Sequence, residues 1–129
     1  MTNKGFKELV AEANARIRTL TPDEASRLVG DDGYLFVDVR DRHELEQDGL
    51  IPGAVNVSRG MLEFCLDPES PYHVEALSSG RKLVFYCASG GRSALAAARA
   101  ADMGVTDACH VGGGLKAWKE ASGPLEHPQ

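Results

Sequence analysis

The stretch Lys82-Leu83-Val84-Phe85-Tyr86-Cys87-Ala88-Ser89-Gly90-Gly91-Arg92-Ser93-Ala94-Leu95-Ala96-Ala97-Ala98-Arg99-Ala100-Ala101-Asp102-Met103-Gly104 decides the fold. After Lys82 it runs apolar without polar alternation, as a strand covered on both faces requires. From Ser93 to Met103 it is alanine-rich and reads as a helix stopped by Gly104 at the position after the C-cap. Small residues and two glycines lie between. A strand that passes through such a loop into a helix is the unit of a parallel α/β sheet, and the carboxyl end of the strand is where such sheets bind ligands.

Similar units lie on either side. Tyr34 to Val39 is a second buried strand, followed by a polar helix over Arg42 to Asp48. Arg18 to Leu20, Ala54 to Val57 and Ala108 to Val111 read as shorter strands. Thr21, Pro22 and Glu24 form a capping box with proline in the first turn, which predicts a helix through Val29 closed by Gly30. Short helices are expected over Met61 to Leu66, stopped by Asp67-Pro68, and over His73 to Leu77, with a terminal helix from Leu115 to Ala121 carrying Trp118. Upstream, Phe6, Leu9, Val10, Ala13 and Ile17 share one face of a 3.6-residue period. That helix is expected to pack on its own domain, with recruitment of a partner as the alternative. The alternation of strands and helices, with no internal repeat, gives an α/β class.

Composition narrows the function. A chain of 129 residues holds one core and one domain. No apolar run approaches the roughly 18 residues of a membrane span, so a membrane partner is not expected. A net charge of −5 disfavours nucleic acid and anionic lipid surfaces. Met1 to Lys7 lacks the basic and apolar regions of a secretory signal, which makes the cytoplasm the expected location. Three cysteines without C-x-x-C spacing argue against a disulfide framework and against zinc.

Cys87 is the candidate nucleophile. Two glycines and small neighbours let successive main-chain N–H groups turn inward around an anion, at the positive end of a helix dipole, and Arg92 adds a fixed charge. A free cysteine titrates near pH ~8.5, and helix N-termini and cations lower that value, so this loop sustains a thiolate without a neighbouring base. An inert cysteine at a strand end is the competing reading, and it leaves the glycines and the arginine unexplained. Cys65 and Cys109, in apolar surroundings, read as core residues.

The motifs together resemble the rhodanese (thiosulfate sulfurtransferase) superfamily, in its single-domain form. Asp38-Val39-Arg40 with Glu44 is similar to the family's strand-end segment. Gly49-Leu50-Ile51-Pro52-Gly53-Ala54-Val55-Asn56 is similar to its turn, with Leu50 in place of a usual histidine. Val111-Gly112-Gly113 with Trp118 resembles its closing motif. The resemblance implies a three-layer sandwich with a central, mostly parallel five-stranded sheet and helices on both faces. It assigns residues 18–122 to the rhodanese-like domain, 1–17 to an N-terminal helix packed on it and 123–129 to a C-terminal tail.

The resemblance also implies chemistry. Cys87 takes a sulfane sulfur from thiosulfate or a persulfide donor and passes it to a thiol or cyanide. Ala88, Ser89, Gly90, Gly91, Arg92 and Ser93 cradle the sulfur and its anionic donor; a protein acceptor is a further possible partner. Four residues separate Cys87 from Arg92, where the family's phosphatase relatives have five around a wider cradle. The alternatives are a persulfide carrier or regulatory module without turnover and, less favoured, a phosphatase or arsenate reductase.

Asp38, Arg40 and Glu44 are expected to form a structural ion-pair network. Gly112 to Gly114 lacks nucleotide-binding spacing, and close approach to the Cys87 loop is expected of it, with Gly112 and Gly113 as supporting residues. His43, His73, His110 and His127 have no ligand spacing and read as surface or loop residues. Neither a metal nor a cofactor is expected.

Overall fold

In the computed structural model, which describes residues 1–128, five strands form one sheet in the order β1-β5-β4-β2-β3, and every neighbouring pair is parallel. The strands are β1 (Arg18–Leu20), β2 (Tyr34–Asp38), β3 (Val55–Asn56), β4 (Lys82–Tyr86) and β5 (Cys109–Val111). Six α-helices accompany them: α1 (Phe6–Arg16), α2 (Pro22–Ser26), α3 (Arg42–Asp48), α4 (Leu62–Leu66), α5 (Gly91–Asp102) and α6 (Gly114–Glu120). Single 3₁₀ turns cover Arg59–Met61 and Glu75–Ser78. No helix among the described residues is long and apolar enough to cross a membrane.

Strand periodicity divides the core between the two faces of the sheet. Leu35, Val37, Leu83, Phe85 and Cys87 point to one face, where α4 and α5 cover them. Phe36, Val84, Tyr86, Cys109 and Val111 point to the other, against Ala25 of α2 and Leu115 and Trp118 of α6. Both faces are buried, which is why β4 reads as a continuous apolar run.

Several boundaries differ from the sequence expectation. Helix α2 stops at Ser26, because the chain tightens into i→i+3 bonds from Leu28 and Val29 to Ala25 and Ser26. The strand expected over Ala54 to Val57 contracts to two residues, since Ala54 is held in a turn by Ile51. The segment from His73 holds only the 3₁₀ turn. Helix α5 starts at Gly91, two residues before the expected Ser93, behind Gly90 at φ +106°.

The two ends of the chain pack on the sheet's helices and loops. Val10 and Ala13 of α1, with Ile17 just beyond it, lie against Ala94, Leu95 and Ala98 of α5, where small side chains let the helices approach. Phe6 and Leu9 stay exposed. The segment beyond α6 is also tied down. Trp118 Nε1 donates to Pro124 O at 2.8 Å, and Leu50 and Glu126 exchange main-chain hydrogen bonds.

Candidate active site

Side-chain alternation along β4 carries Cys87 to the α5 face, directly beneath that helix's first turn. Gly90 adopts φ +106°, a conformation that a Cβ strains, and this turns the chain back over the cysteine. The sulfur then receives two main-chain hydrogen bonds, from the N–H of Gly90 at 3.1 Å and of Ser93 at 3.3 Å. The second is one of the first-turn amides that a helix leaves unpaired. Cys87 is 1% exposed. Donors of this kind at the positive end of a helix dipole favour negative charge on sulfur.

The triple glycine keeps main-chain oxygens out of that bowl. The N–H groups of Leu115 and Lys116, at the start of α6, take the carbonyls of Cys87 and Ala88 at 2.8 and 3.0 Å. That approach demands glycine at 114. Its φ is +60°, and an added Cβ would lie 2.6 Å from the Cys87 oxygen and from the carbonyl carbon of Ala88. Gly113 (φ +75°) leaves no room for a Cβ against Ala117, and Gly112 leaves none against Thr19. The close approach expected of these glycines is therefore made chiefly by Gly114.

Connections from β2 and β4 leave in opposite directions, β2 toward β3 and β4 toward β5, so a crevice opens between their carboxyl ends. Two ion pairs stand near these strand ends. Arg40 and Asp38 form a buried pair, with Nη2 donating to Asp38 Oδ2 and to the Gly49 carbonyl, both at 2.7 Å. Asn56 Nδ2 ties the same turn through the carbonyls of Asp38 and Arg40. In the second pair, Arg92 Nη1 and Nη2 donate to the two carboxylate oxygens of Glu44 at 2.8 and 2.9 Å. Arg92 lowers the Glu44 carboxyl to about 2, and Glu44 in turn holds the guanidinium charged. The network expected of Asp38, Arg40 and Glu44 is thus two separate pairs, and Arg92 is committed to Glu44.

His110 requires a correction. It was expected at the surface or in a loop, yet it is 2% exposed in an inner strand, on the α5 face opposite its neighbours Cys109 and Val111. Its Nδ1 lies 2.9 Å from Ser93 Oγ, and its Nε2 lies 2.9 Å from Asn14 Oδ1 and 3.1 Å from Thr19 Oγ1. Burial pushes its pKa down. Ser93 Oγ is itself 3.5 Å from the Cys87 sulfur. His73 is half-buried, bonded through Nδ1 to the Cys65 carbonyl. Cys65 and Cys109 are free core thiols whose pKa burial raises, Cys109 to about 11. Among the described residues, no cluster of three or more His, Cys, Asp or Glu side chains is placed to hold a metal ion.

Comparison with known proteins adds the lineage. The family model of the rhodanese-like domain matches residues 21–121. The chain belongs to the rhodanese-like domain family. It is 31% identical over 104 residues to mouse thiosulfate sulfurtransferase/rhodanese-like domain-containing protein 3, covering 77% of this chain and 66% of that one. A sulfurtransferase of Allochromatium vinosum is 29% identical over 105 residues, covering 81% and 90%. A solved structure of a Rhodopseudomonas palustris protein of unknown function, described as a possible tyrosine phosphatase, superposes with a TM-score of 0.94 at 47% identity, covering 98% and 97%.

Within this rhodanese-like domain the loop residues expected to form the cradle stand in different positions around the Cys87 sulfur. Gly90 and Ser93 supply the amides on sulfur and are buried. Ala88, Gly91 and Arg92 are half-buried, and Ser89 is exposed at the rim. Sequence reasoning missed His110, Asn14, Thr19 and Asn56. For His110 a signal existed, since one polar residue between two apolar ones in a strand of a sheet covered on both sides is a buried polar residue.

Proposed function

We propose that this rhodanese-like protein is a sulfurtransferase that carries a sulfane sulfur on Cys87. The observation that carries the reading is the pair of main-chain N–H groups on the Cys87 sulfur, inside a loop with four residues between cysteine and arginine. The Cys87 thiolate attacks the outer sulfur of thiosulfate. A sulfur–sulfur bond forms on the protein as the donor's own sulfur–sulfur bond breaks, and sulfite departs with the electron pair. Cyanide or a thiolate then attacks the outer sulfur, and the Cys87 thiolate leaves. The two amides stabilise charge on sulfur at both ends of the cycle. Arg92 is held by Glu44, so its charge reaches the donor only in part.

A phosphatase reading draws on the description of the Rhodopseudomonas palustris neighbour. The short loop is the observation against it, because four residues separate Cys87 from Arg92 where the resemblance implies five for phosphatase relatives. Donor-by-acceptor kinetics separate the readings. Thiosulfate and a persulfidated protein are paired with cyanide and several thiols, and aryl phosphate and arsenate are assayed in parallel. Thiocyanate or persulfide production supports sulfur transfer; phosphate release or arsenate reduction without sulfur uptake reverses the assignment. A carrier without free turnover would show sulfur loading but no steady-state rate with small acceptors.

A further inference from the structure

Behind the sulfur lies a buried histidine that sulfur transfer by the loop alone does not use. Its orientation is set by its partners. Asn14 Oδ1, a carbonyl oxygen on α1, accepts at 2.9 Å from Nε2, and Thr19 Oγ1 stands 3.1 Å from the same nitrogen. Nε2 therefore carries the proton, and Nδ1 is left as an acceptor. The hydrogen-bond partner of Nδ1 is Ser93 Oγ, 2.9 Å away. The Ser93 hydroxyl donates to Nδ1 over this shorter distance, in preference to the Gly90 carbonyl at 3.3 Å. That leaves a lone pair on Ser93 Oγ facing the Cys87 thiol at 3.5 Å. Donors and acceptors so run in one direction, from Cys87 S–H through Ser93 O–H to the His110 ring and out to Asn14.

We propose that His110 is a positioning residue that, through Ser93, takes up the proton Cys87 releases on becoming a nucleophile. The inference rests on Cys87 being the reacting thiol. In the step, the Cys87 S–H bond breaks as an O–H bond forms on Ser93, and the original Ser93 O–H breaks as N–H forms on His110 Nδ1. The products are a thiolate held by the amides of Gly90 and Ser93, a restored hydroxyl, and an imidazolium whose Nε2–H stays on Asn14. No redox partner is needed. The groups facing the ring are Ser93 of α5, Thr19 of β1 and Asn14 of α1, all uncharged. Burial disfavours the imidazolium, so the ring rests neutral, and the negative charge left on the Cys87 sulfur is what offsets that cost when the proton moves. Asn14 is exposed at the edge of a cleft that Ser89, Gly90, Gly91 and Gly113 also line, so the outer end of the chain is open to substitution without disturbing the core.

The test is the pH profile of Cys87 alkylation by iodoacetamide, located by peptide mapping in the full-length protein. His110→Gln and Ser93→Ala should each slow alkylation at neutral pH by about tenfold, with rates converging on wild type at alkaline pH, where the thiol ionises unaided. Asn14→Asp, which sets a carboxylate against Nε2–H, should speed the reaction at neutral pH, and Asn14→Leu should slow it. Uniform slowing at every pH, or a wild-type profile in folded His110→Gln, overturns the relay. Should the buried substitutions not fold, the two Asn14 variants decide it, and unchanged profiles there overturn it. Thiosulfate loading of the same samples is a separate readout. Sulfur uptake with insensitive alkylation rejects the relay alone; a sensitive profile without sulfur uptake rejects sulfur transfer alone.

Discussion

Cys87 and Cys109 lie at the end of one strand and the start of its neighbour, and solvent reaches them almost equally little, at 1% and 5% exposure. Their surroundings ask opposite things of the sulfur. Cys109 donates to the Leu83 carbonyl at 3.6 Å, and burial pushes its pKa to about 11, so the thiol is kept protonated. Cys87 also faces an acceptor, Ser93 Oγ at 3.5 Å, but in addition receives N–H groups from Gly90 and Ser93. Burial suppresses charge at Cys109, while the Cys87 sulfur, in an equally dry place, is met by hydrogen-bond donors. Depth alone therefore says little about reactivity; the presence of N–H donors on the sulfur decides.

The comparison breaks most sharply by substitution. Cys87→Ser should abolish sulfur uptake from thiosulfate, whereas Cys109→Ser should retain it, both read by intact mass. Equal loss in both would dissolve the distinction. Next in size is Gly114→Ala, which drives a Cβ against the Cys87 and Ala88 carbonyls and so displaces the loop. Uptake should slow by about a hundredfold, the scale associated with a displacement of roughly 1 Å at a reacting centre. A wild-type rate would mean that the α6 contacts do not shape the bowl.

A smaller effect concerns labelling of the native protein. At pH ~8, Cys87 should react with iodoacetamide at least about tenfold faster than Cys109, whose raised pKa leaves little thiolate. Comparable rates on both peptides would contradict the contrast.

The smallest effect belongs to the Glu44–Arg92 pair. In the native protein Glu44 titrates at about 2, against about 4.3 in an unfolded chain. The unfolded state therefore binds the proton first, and the pair's contribution is full above pH ~4.3 and lost as pH falls toward about 2. Arg92 is partly exposed, and solvent screening reduces the contribution to about 1 kcal/mol or less. Glu44→Gln should lose about that much stability near neutrality and show a flatter decline in acid, as measured by denaturant midpoints across pH.

Local chemistry decided what the sequence revealed. Apolar continuity over Leu83 to Tyr86 marked a strand covered on both faces, and the glycines of the Cys87 loop marked a turn that brings amides inward. Both signals lie within a few residues of the feature they specify. Long-range geometry was not legible. Arg92 read as an anion ligand because its partner Glu44 is 48 positions away, and His110 read as a surface residue because Asn14 lies 96 positions before it.

Main-chain donors that grip a sulfur anion are visible spectroscopically. In the folded, isotopically labelled protein, the amide proton resonances of Gly90 and Ser93 should move downfield together as thiosulfate loads Cys87, and return when cyanide discharges it. Sulfur loaded while both amides stay unmoved, or resonance changes centred on Cys109, would contradict the account.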